Sequence, residues 1–464
     1  MAIVTVVEHS TISPAPESDI RTELSLPVVF FDMLWYDCPA NHSVLFFDLP
    51  ACSKSHFLDK IVPDLKSSLS LTLAQFLPLS GNIIHPTTPG NMPLIRYQHG
   101  DSVSFLVSES TADLNRLTGN EPRSCGEYYA FAPTLPPATR SEEYIACPVL
   151  ALQVTLFPGQ GLCIGFVTHH AVADASTVVS FIRAWALINS SKPGTDVRDR
   201  LVQANCLPFY DRKNVTNING LDSIYWDLIV EQSCVVEPPP VKIPTDRLRA
   251  TFVLKKDEID SLKALVGTHV SSFSVVCALV WVCSARSEVA DDEETEYFGF
   301  VADCRARLKC AMPANYFGNC VALVKAELKH GEVKKGGSDG FLRSVKAIGE
   351  VIKEKVYNEN ENGILCGADK WPEEYEKLIG KRQYGVAGSP RFDFYAADYG
   401  WGKAKKFEAL FIDGGASLSL CKSRDFEGGL EIGLSKPIAQ MDAFSRVFAE
   451  VLSELLQLKI EHQK

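Results

Sequence analysis

A proline-rich interval near the middle of the chain is the sequence feature that most restricts its fold. Residues 190–247 contain Pro193, Pro208, the run Pro238–Pro240 and Pro244, with Asn and Asp between them. Because proline lacks a backbone donor and breaks helices and interior strands, this interval predicts a linker without long regular elements. The 464 residues are therefore predicted to form two domains of similar size, 1–205 and 249–464, joined by a crossover over 206–248.

Both halves combine strand-like and helix-like patterns. In the first half, residues 42–49 predict a strand, 55–76 a helix, and 149–157 with 162–168 a hairpin. In the second half the patterns predict helices over 257–266, 274–287 and 438–458 and strands over 297–302, 407–413, 416–422 and 430–434. Regular βαβ alternation and a fixed repeat are absent, so the sequence predicts an α+β fold in each half, with a site in the cleft between them.

Charge and composition exclude several classes of protein. The 46 basic and 57 acidic residues leave a net charge of −11, which disfavours nucleic acid as a partner. No apolar stretch of about 18 residues predicts a membrane span, and the first residues lack a secretory pattern, so we expect a cytosolic protein. The 14 cysteines lack CxxC pairs and ordered spacing, which favours reduced thiols over a disulfide framework.

The string His170-Ala-Val-Ala-Asp174 is the sharpest local motif. It follows the predicted hairpin and precedes a helix with apolar residues at Phe181, Ile182 and Trp185. An imidazole at a strand end can face a cleft while Asp174 begins the helix. Because its ordinary pKa is about 6.5, such an imidazole accepts a proton from an alcohol at neutral pH. The pattern alone leaves both general-base catalysis and a structural histidine open.

Other catalytic motifs are weaker. His169, His170 and Asp174 lack the spacing that places two zinc ligands on one helical face, so no metal is predicted. Residues 336–340 fit GxSxG, but two lysines precede them where a nucleophile elbow needs an apolar strand. Residues 400–402 lack the third glycine of a dinucleotide fingerprint, and the sequence contains no Walker A string.

Two strings rich in aromatic residues and glycine, Asn315-Tyr-Phe-Gly-Asn-Cys320 and Asp398-Tyr-Gly-Trp-Gly402, indicate by composition alone turns that pack on a core. Together with the HxxxD motif, and in this order along the chain, they resemble the plant BAHD acyl-CoA-dependent acyltransferases. Tyr399 stands in place of the phenylalanine of the family's DFGWG string. Residues 316–320 are similar to the YFGNC string of the branch that acylates anthocyanins and other phenolic glucosides.

Shorter similarities at 65–70, 77–81 and 302–307 extend the resemblance over nearly the whole chain. Two positions depart from the family pattern. Ala175 stands where glycine is common. Residues 388–390 read Gly-Ser-Pro, where relatives that acylate shikimate or quinate have Ser-Trp-Thr, and this difference favours a glycoside acceptor.

The resemblance implies two chloramphenicol-acetyltransferase-like domains with the active-site channel between them. His170 is then the general base that takes the proton of the acceptor hydroxyl. The oxygen attacks the thioester directly, so no cysteine nucleophile is needed. Asp174 orients the motif by pairing with Arg305 or Arg307, and Asp398 has a structural role.

The resemblance also implies an acyl-CoA co-substrate and no permanently bound cofactor. The candidate residues for binding CoA are Lys255, Lys256, Ser389, Gly400, Trp401 and Gly402, with Lys403, Lys405 and Lys406 as further cations for its phosphates. A malonyl donor brings a carboxylate, for which Arg183 is the candidate cation, whereas an aromatic acyl group needs an apolar slot.

The pattern over the whole chain favours a monomer that transfers malonyl from malonyl-CoA to a sugar hydroxyl of a flavonoid, anthocyanin or other phenolic glucoside, without a membrane or nucleic-acid partner. A hydroxycinnamoyl-CoA donor, with a glycoside, alcohol or amine acceptor, is the nearest alternative. A peptide-bond-forming condensation domain shares HxxxD and the two-domain plan. A non-catalytic binding protein on the same scaffold is the last alternative.

Overall fold

The computed structural model describes residues 3–16, 22–88, 90–192, 194–234, 236–267, 269–360, 363–415 and 417–462. Its strands are β1 (Val4–Ile12), β2 (Glu23–Pro27), β3 (Asn41–Asp48), β4 (Asn82–Pro86), β5 (Leu94–Gln98), β6 (Val103–Ser110), β7 (Arg123–Ser124), β8 (Thr139–Arg140), β9 (Tyr144–Pro148), β10 (Leu150–Phe157), β11 (Gly161–Thr168), β12 (Arg247–Leu254), β13 (Thr295–Asp303), β14 (Val321–Lys329), β15 (Arg382–Gly388), β16 (Lys406–Ala409), β17 (Ser417–Lys422) and β18 (Leu430–Pro437).

The α-helices are α1 (Phe30–Met33), α2 (Lys54–His56), α3 (Val62–Gln75), α4 (Leu114–Thr118), α5 (Ala175–Asn189), α6 (Val197–Gln203), α7 (Leu221–Glu231), α8 (Lys256–Val266), α9 (Ser272–Ser287), α10 (His330–Val333), α11 (Asp339–Val351), α12 (Trp371–Glu376) and α13 (Ile438–His462). Within the described ranges, no helix combines the length and the apolar character that a membrane span needs.

The strands form three sheets. A six-stranded sheet has the order β1-β6-β10-β11-β3-β16, a five-stranded sheet the order β2-β5-β4-β9-β8, and a seven-stranded sheet the order β14-β13-β15-β17-β18-β12-β7. Helices α3 and α5 pack together in the first half, and α9 lies among α8, α11 and α13 in the second. This mixture confirms the predicted α+β class.

Each half contributes one strand to a sheet of the other half. Strand β16 of the second half pairs antiparallel with β3 of the first, with Phe407 opposite Leu45. Strand β7 of the first half pairs with β12, with Arg123 opposite Arg249. The exchange interlocks the two halves. The domain limits at 205 and 249 stay a prediction.

The hairpin that leads to His170 is confirmed. Strands β10 and β11 pair antiparallel from Leu150–Thr168 to Phe157–Gly161, and β11 lies between β10 and β3. The turn contains Gly159 at a φ of +71°, a conformation that favours glycine. Every residue of both strands is buried. The strand therefore delivers the following histidines at the end of a fixed central element.

Two local expectations from the sequence were wrong: the absence of long regular elements from 190–247, and the end of a strand at 413. The predicted linker contains α7, an 11-residue helix that buries Tyr225, Trp226 and Ile229 on one face. Proline flanks this helix without interrupting it, and the apolar face packs into the core. The predicted strand 407–413 ends at Ala409, where a short helical turn over Leu410–Gly414 begins. Pro193 and Ala416, used in the predictions, lie outside the described residues.

An aromatic cluster joins the two halves near the C-terminal string. The ring of Tyr399 meets Trp185 of α5 edge to face at 5.1 Å and Phe47 of β3 at 5.6 Å, and Trp401 stacks on Tyr399 at 5.5 Å. Tyr399 is buried, and its hydroxyl has no hydrogen-bond partner in the described part of the chain. Such rings stabilise by apolar burial and favourable edge contacts, but an unpaired hydroxyl costs free energy.

We expect Tyr399→Phe to raise the free energy of unfolding by about 1 kcal/mol, because the change removes a buried hydroxyl that has no partner. The measurement is the thermal unfolding midpoint. Tyr395→Phe is the matched control: the Tyr395 hydroxyl donates to Glu431 at 2.6 Å, so its loss is expected to lower the midpoint. A lower midpoint for Tyr399→Phe would contradict the assignment of the hydroxyl as unpaired.

Candidate active site

His170 lies two residues beyond the end of β11, in the turn that leads into α5. The backbone of His169 holds this turn, since its N–H donates to Val149 at 2.9 Å and its carbonyl accepts from Val172 at 3.1 Å. The ring of His169 is also engaged, with Nε2 at 2.7 Å from the Val236 carbonyl and Nδ1 accepting from the Ala171 N–H. His169 is therefore structural, and its neighbour is the histidine with a free ring.

A cavity of about 1330 Å³ opens at His170 and is lined by both halves of the chain. His170, Asp174 and Trp35 come from the first half, while Arg305 and Ser389 come from the second. Helix α7 of the predicted linker also contributes to the wall. A site enclosed by both halves matches the expected position of the channel.

The ring of His170 lies flat against the indole of Trp35, with the ring centroids 4.1 Å apart and the planes within 3°. Nδ1 of His170 is enclosed and has no hydrogen-bond partner on another residue in the described part of the chain, which leaves Nε2 as the nitrogen that can meet a substrate. Burial lowers the pKa of His170 to about 4, although its own carbonyl and Asp174 act in the opposite direction. The imidazole is therefore neutral at pH 7 and able to accept a proton.

Asp174 caps the N-terminus of helix α5, and its carboxylate is engaged by groups other than the ring of His170. Its carboxylate accepts from the Thr177 N–H at 3.0 Å and from the Cys320 N–H at 3.3 Å. It also forms a two-armed ion pair with Arg305, at 2.9 and 3.1 Å. Both side chains are buried, so this pair ties the HxxxD turn of the first half to the second half.

The two arginine candidates for Asp174 behave differently. Arg305 contacts Asp174, whereas Arg307 donates to the carbonyl of Asp303 at 2.6 Å and lies over the ring of Tyr357 at 5.4 Å. Both arginines line the cavity. The charge of Arg305 is balanced by Asp174, so Arg307 is the better placed of the two to meet a substrate anion.

A second buried network, which sequence analysis missed, fixes the backbone of His170. The side chain of Asn319 donates to the His170 carbonyl at 3.0 Å and to Asp32 at 3.1 Å. Asp32 is fully buried and pairs with Arg212 at 2.6 Å. Asn319 belongs to the string 315–320, so that string carried a signal, whereas Asp32 and Arg212 lie in no recognisable motif.

The loop 398–402 is built around Asp398. The Asp398 carboxylate accepts from the N–H groups of Gly400 at 2.8 Å and Gly402 at 3.0 Å. Both glycines have φ near +98°, at +99° and +97°, where a side chain is strained. The Tyr399 carbonyl accepts from Asn189, the last residue of α5, at 2.7 Å. The loop therefore clamps the far end of the helix that Asp174 begins.

Several candidate binding residues do not line the described cavity. Trp401 meets Phe47 of β3 edge to face, and a side chain at Gly400 would meet Ser190 just after α5. Lys255 lies over Phe426, and Lys256 pairs with Asp260 at 3.0 Å, both on the exposed surface. These placements do not support direct contact of these residues with a substrate inside the cavity.

The remaining cations divide into two groups. Lys406 is buried and donates to Thr251 and Asn120, and Lys405 donates to Asp48 and Asn115, so both are committed to structural contacts. Arg183, the predicted candidate for an acyl carboxylate, is exposed on α5 and is not among the described residues that line the cavity, so its placement does not support that role. The cavity is lined instead by a set of cations from the second half: Arg305, Arg307, Lys325, Lys381 and Arg391.

Ser389 does line the cavity, and its hydroxyl accepts from the N–H of Arg391 at 3.2 Å. Arg391 is exposed at the cavity mouth and follows the string 388–390 that departs from the family pattern. The departure from the family pattern at 388–390 was the sequence feature that could have drawn attention to Arg391. Serine and arginine at a cavity mouth are suitable donors to phosphate or carboxylate oxygens.

Comparison with known proteins agrees with this geometry. The model of the transferase family matches residues 2–451. The chain belongs to this family, the BAHD transferases. It is 40% identical over 446 residues to a malonyl-coenzyme:anthocyanin 5-O-glucoside-6'''-O-malonyltransferase of Salvia splendens, covering 96% of this chain and 94% of that one. It is 41% identical over 429 residues to phenolic glucoside malonyltransferase 1 of Nicotiana tabacum, covering 90% and 92%.

Among solved structures, the fold of this BAHD transferase is similar to that of vinorine synthase, with a TM-score of 0.69 at 19% identity over 95% of this chain and 96% of that one. Membership of the family confirms the predicted enzyme class, an acyl-CoA-dependent acyltransferase. It favours that class over the condensation-domain and binding-protein alternatives.

The lowered pKa of His170 predicts the pH dependence of the transferase. We expect kcat/KM to hold constant from about pH 8 down to about pH 6 and to fall only as the pH approaches about 4, where His170 takes a proton and ceases to be a base. A pH–rate profile measures this. A decline centred near pH 6.5, the ordinary pKa of histidine, would contradict it.

Unfolding must be separated from loss of the base in that profile. The pKa values of His169 and His170 are about 4 in the folded chain and about 6.5 in the unfolded chain. The unfolded state therefore binds more protons between these values, and stability falls as the pH drops through that window. Tryptophan fluorescence at each pH identifies the range in which the protein remains folded.

The ion pair between Asp174 and Arg305 gives a second prediction. Asp174→Asn leaves the Arg305 charge buried without its main partner, so we expect a loss of about 3 kcal/mol in stability and lower activity. In the double variant Asp174→Asn/Arg305→Met the loss should be smaller than the sum of the single losses. Thermal midpoints measure both effects.

Arg307→Met serves as the control for that cycle, because Arg307 is partly exposed and does not contact Asp174. Its free energy of unfolding should differ from that of the wild type by less than about 1 kcal/mol. Additive losses in the Asp174 and Arg305 cycle would show that the pair is not coupled.

Proposed function

We propose that this BAHD transferase moves malonyl from malonyl-CoA to a sugar hydroxyl of a flavonoid, anthocyanin or other phenolic glucoside. The observation that carries the proposal is the neutral ring of His170, which is open at Nε2 to a cavity large enough for both substrates. The malonyl donor and the glucoside acceptor are supported by the activities named for the Salvia and tobacco relatives, which align over nearly the whole chain.

In the proposed mechanism, Nε2 of His170 takes the proton of the sugar hydroxyl as its oxygen attacks the thioester carbonyl carbon. The tetrahedral intermediate then collapses with cleavage of the carbon–sulfur bond. The imidazolium returns the proton to the leaving sulfur, which releases free CoA. His170 is neutral at the start and at the end of each cycle.

The cavity does not favour a cysteine nucleophile. Cys38 and Cys234 line it, but burial raises the pKa of Cys38 to about 12, and the nearby Asp37 and Cys234 add to the shift. Burial also raises the pKa of Cys234. Both thiols stay protonated at neutral pH, and a thiol is a weak nucleophile compared with a thiolate. Direct attack by the hydroxyl therefore needs no acyl-enzyme.

Asp174 and Asp398 act in this proposal as positioning residues. Asp174 fixes the start of α5 and the turn that carries His170, through Arg305. Asp398 organises the loop that holds the end of the same helix. Neither carboxylate exchanges a proton with the substrates.

The substrates bring two anionic parts, the phosphates of CoA and the malonyl carboxylate. We assign them to the lining cations that have no buried ion pair, Arg307, Lys325, Lys381 and Arg391, in place of Arg183. Lys325 has only a distant partner, Glu374 at 3.8 Å. A planar guanidinium such as that of Arg307 suits a carboxylate because it can donate two parallel hydrogen bonds.

A monomer is the proposed working unit. The cytosolic location predicted from the sequence is part of the same proposal. Acyl-CoA and a small-molecule acceptor are the only partners that the proposed reaction requires.

The test is a donor panel with one flavonoid glucoside and its aglycone as acceptors. Malonyl-CoA, acetyl-CoA and coumaroyl-CoA are compared by product mass. We expect malonyl transfer to the glucoside, little transfer from acetyl-CoA, which lacks the carboxylate, and none to the aglycone. His170→Ala should lower kcat by about 100-fold or more, because general-base catalysis contributes on that order.

Coumaroyl transfer without malonyl transfer would overturn the donor and support the aromatic alternative. Full activity of His170→Ala would overturn the role of His170. Acylation of the aglycone at the rate of the glucoside would overturn the assignment of the acceptor.

A further inference from the structure

The contact between Trp35 and His170 is unusual in its geometry. Trp35 lies just after α1, and its indole covers one face of the imidazole with the planes nearly parallel, at 4.1 Å. The wall of the cavity at this point thus consists of the general base and an aromatic ring stacked on it. Trp35 belongs to none of the sequence motifs.

The imidazolium that forms during the reaction has no carboxylate partner. Both oxygens of Asp174 are engaged with Arg305, Thr177 and Cys320. Nδ1 of His170 has no hydrogen-bond partner on another described residue, and its own carbonyl is the backbone group that favours the charged ring. Asp174 acts on the ring only at a distance, Arg305 balances its charge, and His169 is neutral. A positive charge on His170 therefore forms in a buried place where the usual hydrogen-bonded carboxylate is missing.

The ring of Trp35 is in direct contact with the imidazole of His170. The face of an indole carries negative electrostatic potential and attracts a cation held within about 6 Å, most strongly where water is excluded. The indole Nε1–H of Trp35 is enclosed and has no acceptor among the described residues. Its hydrogen-bonding end is thus unused, and the contact with His170 is made by the ring face.

One hydrogen-bond network fixes both rings. The backbone N–H of Trp35 donates to the backbone carbonyl of Asp32 at 3.0 Å. The carboxylate of Asp32 accepts from Asn319, whose side chain also donates to the carbonyl of His170. The backbones of Trp35 and His170 are therefore held to the same buried group, which keeps the stack in register.

We propose that Trp35 is a positioning residue that stabilises the imidazolium of His170 through its ring face while the acyl group is transferred. The proposal rests on the proposed function of His170 as the general base. The hydroxyl proton moves to Nε2 as the carbon–oxygen bond forms, and it moves on to sulfur as the carbon–sulfur bond breaks. Trp35 exchanges no proton and lowers the barrier only through its contact with the charged ring.

Fluorinated tryptophans at position 35 test this, because each fluorine weakens the face potential with little change of shape. Mono-, di- and trifluorotryptophan are introduced at that codon alone in the full-length protein. We expect kcat to fall stepwise, by about tenfold to thirtyfold at trifluorotryptophan, with KM and the thermal midpoint unchanged. The same series at Trp281, which is buried and packs near Phe298, is the control and should leave kcat unchanged.

Substitutions of Trp35 with standard amino acids provide a second test. Trp35→Phe keeps an aromatic face and removes the unpaired indole N–H, so it should retain most of the activity. Trp35→Leu should lose at least tenfold in kcat, and its acid limb of kcat/KM should move to lower pH because the charged ring loses a stabilising contact. A flat kcat across the fluorinated series, or equal activities of the Phe and Leu variants without a shift of the acid limb, would overturn the proposal.

A failure of the proposed function can be distinguished from a failure of the role proposed for Trp35. The product formed by the wild-type protein tests donor and acceptor, whereas the trend across the series is measured with whichever acyl-CoA is turned over. If none is turned over, the pH dependence of carbethoxylation of His170 by diethyl pyrocarbonate, followed by peptide mapping, replaces kcat. Identical pH dependence in the wild type and in Trp35→Leu would then overturn the role of Trp35.

Discussion

The buried ion pair between Asp174 and Arg305 is the interaction on which the rest of this site depends. It crosses from the first half of the chain to the second, and it joins the helix α5 that follows His170 to the segment that precedes β14. Burying two charges costs hydration free energy, so the pair is maintained only because both partners have further hydrogen bonds. Thr177 and Cys320 supply them to Asp174, and the carbonyls of Tyr316 and Gly318 supply them to Arg305.

The strings around Asp398 and Asn319 also act by holding the protein around His170 in place, at a distance from the reacting atoms. The loop of Asp398 holds the end of α5, and Asn319 with Asp32 holds the backbone of His170. Together these contacts hold the position of the His170 imidazole. The net charge of −11 is compatible with binding anionic substrates because the cavity carries its own cations from the second half.

Sequence reasoning located the hairpin, helix α5 and the catalytic string, because strand alternation, turn glycine and helical periodicity are local signals. It failed to predict helix α7 in the proline-rich interval, because the prolines flank the helix while its apolar face packs into the core. It proposed Arg183, which the structure places on the exposed side of α5, because a position on an amphipathic helix near a motif does not reveal which way the side chain faces. Trp35 and Asp32 escaped notice because their roles exist only in contacts between residues about 135 and 290 positions apart.

The sequence by itself determined the α+β class and the family, and it selected His170 as the candidate general base, since these follow from local patterns and from motifs with fixed order. Only the tertiary structure decided that Arg305 rather than Arg307 pairs with Asp174, that Lys406 is structural, and that an indole covers the imidazole. The physical reason is that burial and charge pairing depend on which segments meet in space. In this chain the two halves exchange strands, so residues distant in sequence build every wall of the site.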